Sequence, residues 1–468
     1  MVATNKIKNL NIADIAFWLF VASTVTLPVG FGGNRAIPFG IAQAGLAVTC
    51  LLLFFGRAHW NPPRIFPRLR FALVLFAAVL TWGLIQTLPV VPESWAHPLW
   101  KEASDVIGHH LPGTISISPE DSLVGLGRLL TYIAIGLIAY ALTQEPKRAR
   151  QLVTALWIAG TVICTYGLAE YIAGAGKILW FKKWAYETDL TATFVNRNHF
   201  AVYCGMVMVT GAALLVQSFR ENVLGQKQQL RSQLARDWLI QQGAVRFFSL
   251  VLLVFCIALS HSRSGLVLSM GGLGSYFFFY QVYRKQFGRA LITALAAFII
   301  LVLVFMTALE FSDRFPSLFV DYSSRDRLQV YELSINALRD NPWLGYGLDG
   351  FQPVFRLYQR GMVMEFVHAH SDILESLLDL GIPAGLTLWL AIITAVSGLA
   401  RGIARRRRHG LYPCLALGCT IIVFGHCMID FSMQIPGDVG TWALLLGCGL
   451  AQSWRQEEKQ PAQEWSAY

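Results

Sequence analysis

The chain has 468 residues, of which 55% are hydrophobic and only 14% are charged. Soluble domains carry about 25% charged residues, so this composition excludes an ordinary soluble enzyme. The mean hydropathy of +0.49 instead indicates a polytopic membrane protein. The net charge of +10 comes from short basic clusters between apolar runs, a pattern that orients membrane proteins and does not favour nucleic-acid binding.

Cysteine usage and the absence of familiar motifs narrow the chemistry further. The eight cysteines lie in apolar runs and form no CxxC pair, so we predict packing residues and neither disulfides nor zinc. The first apolar run follows two lysines but lacks an A-x-A cleavage site, which indicates a retained helix. No Walker A, GxGxxG or HExxH motif occurs. We therefore expect no cofactor and no ATP-driven transport.

Repeated apolar runs predict an all-α protein with about twelve transmembrane helices in a single integral membrane domain, 1–468. The predicted spans are 12–31, 36–56, 69–88, 123–142, 151–174, 198–219, 246–260, 265–283, 289–309, 374–400, 411–431 and 437–454. An even number of spans places both termini on the same side of the membrane.

Basic residues predict which side this is, because cytoplasmic loops are enriched in lysine and arginine. The basic set of loops and ends contains Lys6, Lys8, Arg57, Arg64, Arg68, Arg70, Lys147, Arg148, Arg150, Arg220, Lys227, Arg231, Arg236, Arg246, Arg284, Lys285, Arg289, Arg401 and residues 405–408. Both termini are therefore predicted to be cytoplasmic. The loops 89–122, 175–197, 261–264, 310–373 and 430–438 then face the opposite side.

The loop 310–373 is too long for a simple connector. Within residues 324–341, apolar side chains recur at helical spacing, namely Leu328, Tyr331, Ile335 and Leu338. This pattern predicts an amphipathic helix that lies on the outer membrane surface. On the cytoplasmic side, the Gln-rich segment 226–242 is interpreted as a helical connector without chemistry.

Arg263 is a candidate anion-binding residue because it follows a short predicted span. About 15 apolar residues form a helix of roughly 22 Å, against a hydrocarbon core of roughly 30 Å. The turn that contains Arg263 would then be recessed, where a guanidinium suits a phosphate group. The alternatives are that Arg263 reaches lipid headgroups or pairs with an acid.

Two further segments carry candidate binding residues. Asn196, Arg197, Asn198 and His199 adjoin the outer end of the sixth span, where they would either contact a phosphate or cap the helix. Arg325 and Arg327 begin the predicted amphipathic helix. They are weaker candidates, because exposed helices usually carry charge.

The stretch from His368 to Asp372 permits three interpretations. An HxHxD spacing can bind a metal, yet no other ligand cluster occurs in the outer loops, so we expect no metal. Alternatively, one histidine is a general base, since the pKa of free histidine is about 6.5. In the third interpretation Ser371 or Asp372 caps the tenth span and the histidines are only interfacial. We favour a base, and His370 over His368 because it adjoins the helix start.

Five motifs in this order resemble the O-antigen ligase and O-antigen polymerase superfamily of bacterial membrane glycosyltransferases. They are Phe194 to Ala201, Ser262 to Gly265, Ser324 to Arg327, Asn341 to Gly347, and His368 to Ser371 before Leu380 to Pro383. The resemblance implies a GT-C-type, metal-independent, inverting transferase of the bacterial inner membrane with a periplasmic active site. Its donor would be a glycan linked to undecaprenyl diphosphate, and its acceptor another lipid-linked glycan (polymerase) or lipid A core (ligase).

The resemblance also assigns roles to residues. Arg263 and Arg327 would hold the diphosphate together with Arg197, and Arg325 would assist them. His370 would be the base, although Ser371 stands where the family often has asparagine, which leaves His368 as the alternative. Asn196, Asn198, His199 and Asp372 would support the site.

Two other classes of protein compete with an enzyme. A solute transporter would bind its substrate near the bilayer midplane, where Glu170 is the main charged candidate. A structural partner in polysaccharide export would have no use for recessed arginines. The distinctive clusters lie at one face, which favours the transferase, and the long outer loops 89–122 and 310–373 favour a polymerase over a ligase.

Overall fold

A computed structural model describes residues 12–56, 66–314, 324–359, 365–405 and 409–454, without the side chains of residues 66–67, 298, 301–302, 304–314 and 324–325. Helices dominate this part of the chain, which confirms the predicted all-α class. Its strands, β1 (Lys177–Ile178) and β2 (Phe181–Lys182), form one short antiparallel hairpin.

The helices are numbered in chain order. They are α1 (Ile12–Val25), α2 (Ala36–Phe55), α3 (Phe66–Thr87), α4 (Leu99–Ile107), α5 (Pro119–Leu142), α6 (Pro146–Ile172), α7 (Arg197–Phe219), α8 (Arg231–Trp238), α9 (Ala244–Leu259), α10 (Arg263–Tyr283), α11 (Phe287–Arg314), α12 (Ser324–Asp340), α13 (Phe351–Tyr358), α14 (Asp372–Leu380), α15 (Ile382–Arg405), α16 (Leu411–Cys427) and α17 (Pro436–Ala451).

A helix lies at each of the twelve predicted spans. Within the described residues, eight segments are long and apolar enough to cross a membrane, so the chain is a multi-pass membrane protein. The count of twelve spans, the GT-C architecture and the orientation stay predictions. Several residues that predict the orientation lie outside the described part of the chain, namely Lys6, Lys8, Arg57, Arg64 and residues 406–408.

The seventh span begins earlier than predicted. α8 continues through a π-helical turn, Leu239–Gly243, directly into α9, and the span candidate runs from Gln228 to Leu259. Polar residues in the first half of this helix interrupt the apolar pattern and hide its start. The helix before Arg263 is therefore long enough to span the membrane and does not by its length recess Arg263.

The predicted tenth span is two helices. α14 ends at Gly381, whose φ of +78° is a left-handed conformation that glycine adopts without steric cost, and α15 begins at the next residue. Only α15 qualifies as a membrane span. The short helix α14 is therefore free to carry polar groups beside the site described below.

α7 lies at the centre of the bundle and packs against α6, α9, α10, α16 and α17. It is buried along almost its whole length, as expected for a helix that is apolar on all sides. α2, by contrast, has few buried residues. The central position of α7 brings its first residues next to the loops that follow α9 and α16.

α12 packs against the rest of the protein with a face other than the one that carries Leu328 and Ile335. Val330, Ser334 and Ala337 are buried, whereas Leu328 is 64% exposed and Ile335 is 39% exposed. The buried face packs against α13 and α14. Exposed apolar side chains on the opposite face are typical of a helix at a membrane surface.

Candidate active site

Segments that are distant in the sequence meet at Asp430, in the turn between α16 and α17. Oδ1 of Asp430 lies 3.1 Å from Nδ1 of His370, and its Oδ2 accepts a hydrogen bond of 2.9 Å from Nδ2 of Asn198. The hydroxyl of Ser262 donates to Oδ1 of Asn198 at 2.8 Å. Three of the motifs singled out in the sequence therefore converge on one carboxylate.

Helix capping explains why these motifs share one end of the bundle. The backbone N–H of Asn198 donates to Oδ1 of Asn196 at 2.8 Å, which caps α7. Ser262 caps α10 and Ser371 caps α14 in the same way. Because α7, α10 and α14 all begin at this end, their capping residues and first turns face the same region. The capping interpretation is thus correct for Asn196 and Ser371, and Asp372 is the first residue of α14.

His370 is held at both its backbone and its side chain. Its φ of +53° lies in the left-handed region, which residues other than glycine seldom adopt, although asparagine, aspartate and histidine do so more often than the rest. The hydroxyl of Tyr331 on α12 donates to the carbonyl of His370 at 2.9 Å. The side chain of His370 is 13% exposed, so a small part of the imidazole faces outward.

The charge on Asp430 decides which nitrogen of His370 carries the proton. Burial raises the pKa of Asp430, but the hydrogen bond from His370 and the neighbouring His199 and His426 outweigh burial and lower the pKa well below its ordinary value. An ionised carboxylate only accepts hydrogen bonds, so Nδ1 of His370 carries a proton, and the lone pair of the neutral imidazole is then on Nε2.

His368 has its own carboxylate partner. Its Nδ1 lies 2.9 Å from Oε1 of Glu375, and the N–H of Ala369 donates to the other oxygen at 2.8 Å. Burial lowers the pKa of His368, but Glu375 and nearby aspartates raise it above the ordinary value overall. A raised pKa keeps this imidazole protonated to higher pH, so a smaller fraction of His368 than of an unshifted histidine is in the neutral form that can accept a proton.

Two further histidines lie deeper. Nδ1 of His426 lies 2.7 Å from the hydroxyl of Ser432, and Nδ1 of His199 lies 3.4 Å from Oδ2 of Asp438. Both rings are buried, and within the described part of the chain their Nε2 atoms have no hydrogen-bond partner. His199 and His426 thus form the floor below His370 and do not reach the surface.

Arg197 is engaged in an internal ion pair. Its Nη1 lies 2.9 Å from Oδ2 of Asp189, whose Oδ1 lies 2.8 Å from Nδ1 of His261. Nζ of Lys183 also donates to the Asp189 carbonyl at 2.8 Å. Arg197 is only 3% exposed. In this arrangement its charge is balanced by Asp189 beside the site.

The other candidate arginines lie around the same region. Arg263 is the first residue of α10, directly after Ser262, and is half-buried. Arg327 lies one helical turn before Tyr331 on α12, and it is also half-buried. The backbone of Arg325 belongs to α12, while its side chain lies outside the described residues.

A row of acids lies beside the histidines. Asp372, Glu375 and Asp379 share one face of α14 and are all buried. Oδ2 of Asp372 accepts the N–H of Met433 at 3.0 Å, and Oδ2 of Asp379 accepts the N–H of Asp349 at 3.1 Å. Among the atoms described, Oδ1 of Asp372 and Oδ1 of Asp379 have no hydrogen-bond partner. Carboxylate oxygens in this state are suited to accept hydrogen bonds from hydroxyl groups.

An open groove leads from this acidic row along the bundle. It encloses about 1280 Å³ between α3, α5, α15 and α17, and it runs from Leu69 and Leu450 at one end to Asp372 at the other. Most of its lining is apolar. Near the polar end, Nη1 of Arg128 on α5 lies 3.2 Å from Oδ2 of Asp349. The groove can therefore hold an apolar chain whose polar end lies beside α14.

Sequence reasoning missed the partners of the histidines and the charge in the groove. Glu375 and Asp379 repeat at helical spacing from Asp372, and His426 precedes Asp430 by one helical turn. The first spacing places three acids on one face of α14, and the second places His426 close to Asp430. Arg128 stands within an apolar run and was overlooked, whereas Glu170 lies near the end of α6 and not at its middle.

The potential ligands of a metal ion are dispersed or already paired. Among the described residues, no three His, Cys, Asp or Glu side chains are placed to hold one metal ion. His368 and His370 each direct Nδ1 at a carboxylate. The arrangement is that of a histidine positioned by an acid, which suits proton transfer.

Part of the chain matches a known protein family. Residues 248–390 match the family described as O-antigen ligase. No curated protein matches the chain significantly. The matched region contains Arg263, Arg327, His368 and His370, whereas Asn198 and Asp430 lie outside it. Over residues 248–390, the chain carries a domain of the O-antigen ligase and O-antigen polymerase superfamily.

Proposed function

We propose that the protein is a metal-independent, inverting glycosyltransferase of the bacterial inner membrane that acts on the periplasmic face. Its donor is a glycan linked to undecaprenyl diphosphate. Its acceptor is a hydroxyl of a second lipid-linked glycan, which makes the protein a polymerase of surface or exported polysaccharide. Ligation of the glycan to lipid A core is the second candidate.

The contact between His370 and Asp430 carries this proposal. Asp430 holds Nδ1 of His370, and the free Nε2 removes the proton of the acceptor hydroxyl. The hydroxyl oxygen then attacks the anomeric carbon, and the bond from that carbon to the diphosphate oxygen breaks. Attack from the face opposite the leaving group inverts the anomeric configuration in a single displacement.

Departure of the diphosphate requires cations that offset the negative charge that develops on it. Arg263 and Arg327 are the candidates, since both are half-buried and lie in the first turns of α10 and α12 near the histidines. Preorganised donors of this kind are each worth about 10² to 10³ in rate. Arg197 has Asp189 as its partner, so we assign it to positioning the first turn of α7.

The groove supports a lipid-linked donor. Its apolar lining suits a polyprenyl chain, and its polar end adjoins α14, which also carries the Glu375 partner of His368. The acids Asp349, Asp372 and Asp379 line this end, and their oxygens suit hydrogen bonds with sugar hydroxyls. The diphosphate would then lie toward Arg263 and Arg327.

Contacts between the two long outer loops support a polymerase. The N–H of Ile117 donates to the Tyr346 carbonyl at 3.3 Å, and the rings of His97 and Tyr346 lie 5.6 Å apart. The described parts of the loops 89–122 and 310–373 are thus in contact at Tyr346, close to Leu348 and Asp349 of the groove lining. Two long loops in contact offer more surface to a long glycan than a compact acceptor needs.

A direct assay separates the candidates. Purified protein in lipid nanodiscs is given an undecaprenyl-diphosphate-linked glycan, with or without lipid A core, and free undecaprenyl diphosphate and glycan length are measured. A polymerase lengthens the lipid-linked glycan without lipid A core, whereas a ligase releases undecaprenyl diphosphate only when the core is present. Movement of an intact glycan lipid across vesicles without bond exchange would instead identify a transporter.

A further inference from the structure

A second cavity lies at the opposite end of the bundle from Asp430. It is formed where α7 and α10 end, and Trp238 at the end of α8 covers one side of it. It encloses about 790 Å³, including its open mouth. The Gln-rich segment 226–242 therefore contributes Trp238 to a cavity and is more than a connector.

Three arginines converge on this cavity. Arg220, Arg284 and Arg289 line it, and no acidic residue is among its described lining. The guanidinium of Arg220 donates to the hydroxyl of Tyr280, and its central carbon lies 5.7 Å from the centre of the Tyr280 ring. The cavity thus contains positive charge that its own walls do not neutralise.

Other arginines at this end of the bundle behave differently. Arg148 lies 2.9 Å from Asp14, and Arg150 lies 2.8 Å from Glu221. Within the described part of the chain, none of the three cavity arginines has a carboxylate partner. Arginines that only orient the chain in the membrane can lie anywhere on this side and do not have to line the same cavity. The convergence of three indicates that an anion from outside the chain belongs there.

The residues that line the cavity indicate which kind of molecule carries the anionic group. α7 is 23 residues long, which corresponds to roughly 34 Å, so the cavity lies about one membrane thickness from the histidine site. Leu215 and Phe219 form an apolar side of the cavity, and Trp238 provides the aromatic ring that membrane interfaces favour. An apolar wall beside clustered arginines matches a phospholipid, with its phosphate at the arginines and its acyl chains along the apolar side.

We propose that this cavity binds a phosphate group, and that an anionic phospholipid of the same membrane supplies it. Basic pockets between membrane helices bind anionic lipid headgroups, and the planar guanidinium binds phosphate oxygens in pairs. A soluble phosphate presents the same chemistry without acyl chains. The site is separate from the proposed transferase site and stands independently of that function.

Native mass spectrometry of the delipidated full-length protein tests this site. The probes are phosphatidylglycerol, zwitterionic phosphatidylcholine and inorganic phosphate. We expect phosphatidylglycerol to bind at least about tenfold more tightly than phosphatidylcholine, since each cation near a membrane surface contributes about 1 kcal/mol toward an anionic lipid. Failure of millimolar phosphate to displace the lipid identifies the lipid as the source. Displacement by phosphate alone identifies a soluble anion instead.

A charge-matched pair of variants separates the cavity from the general positive charge of this end. The triple variant Arg220→Gln, Arg284→Gln, Arg289→Gln should lose the preference for phosphatidylglycerol. The control Lys227→Gln, Arg236→Gln, Lys285→Gln removes the same charge from exposed residues outside the cavity and should keep it.

A third variant keeps the test valid if the triple variant misfolds. The double variant Arg284→Gln, Arg289→Gln leaves the contact between Arg220 and Tyr280 intact, and it should still weaken binding several-fold. Equal binding of the two lipids by the unmodified protein, or equal losses in cavity and control variants, would overturn the proposal.

Discussion

Nδ1 of His370 lies 3.1 Å from Oδ1 of Asp430, a residue 60 positions further along the chain. The next residue, Phe431, lies between three histidine rings, with centroid distances of 4.6 Å to His199, 4.3 Å to His368 and 5.1 Å to His370. One turn after α16 therefore supplies both the acid that holds His370 and the ring that spaces the histidines. The geometry of the site depends on a part of the chain beyond residues 248–390.

Replacement of Asp430 tests its role as the positioning residue. In Asp430→Asn, His370 no longer has an anion to fix Nδ1–H, so we expect glycan transfer to fall by about 10² to 10⁴. Glu365→Gln is the matched control, since Glu365 is an exposed acid in the outer loop that carries His370. Transfer rates are compared at equal expression and equal thermal stability. Wild-type transfer by Asp430→Asn would remove Asp430 from the mechanism.

The two loop histidines are distinguished by asparagine variants. Asparagine tolerates the left-handed backbone at position 370, which alanine would strain, so His370→Asn tests the imidazole without disturbing the loop. We expect His370→Asn to abolish transfer. His368→Asn should retain part of it, because the raised pKa of His368 leaves less of it in the neutral form that a base requires.

The dependence of the transfer rate on pH is the second measurement on these variants. The activity that remains in His368→Asn should keep its acidic limb, because the base is still present. If His368→Asn abolishes transfer while His370→Asn retains it, the assignment is reversed. If both retain transfer, the base lies elsewhere.

Arg263 is tested by a change that keeps its charge. Lysine lacks the planar fork that binds two phosphate oxygens, so Arg263→Lys should reduce transfer by roughly 10² while membrane insertion stays normal. Arg236→Lys, on an exposed face of α8, is the control. Near-wild-type activity in both Arg263→Lys and Arg263→Ala would exclude Arg263 from diphosphate binding.

Removal of divalent metals should leave transfer unchanged. We assign the stabilisation of the leaving diphosphate to Arg263 and Arg327, so the purified protein should transfer glycan in the presence of EDTA. The measurement is the transfer rate before and after chelation and dialysis. A loss that only Mn²⁺ or Mg²⁺ restores would instead support the HxHxD metal site.

The pair of His368 and Glu375 should make stability depend on pH. The folded pKa of His368 is raised above its ordinary 6.5, so its stabilising contribution is complete below pH 6.5 and is lost as pH rises through the folded value. The melting temperature of the wild type should therefore fall as the pH rises from 6.5 through the folded pKa of His368. His368→Asn should be less stable at pH 6 and should show a weaker decline. Parallel melting curves for the two proteins would contradict this linkage.

The sequence by itself determined the class of the protein and the residues that begin its helices. Apolar runs near the length of a membrane span predicted a helix at each of the twelve positions, because helix formation and membrane insertion depend on neighbouring residues. Asn196, Ser262 and Ser371 cap helices through hydrogen bonds that span two or three residues. Because these hydrogen bonds join residues that are close in the sequence, a short stretch of sequence is enough to predict them.

The tertiary structure decided which of these residues act together. Asn198 and Asp430 are 232 positions apart, and no local pattern connects a buried aspartate in one turn with the first residues of another helix. The ion pair of Arg197 and Asp189 depends on the path of the loop that carries Asp189. The length of the helix before Arg263 depends on whether the helix continues through a polar stretch. Ion pairs and buried hydrogen bonds form between side chains that packing brings together, so their partners emerge only when the helices are assembled.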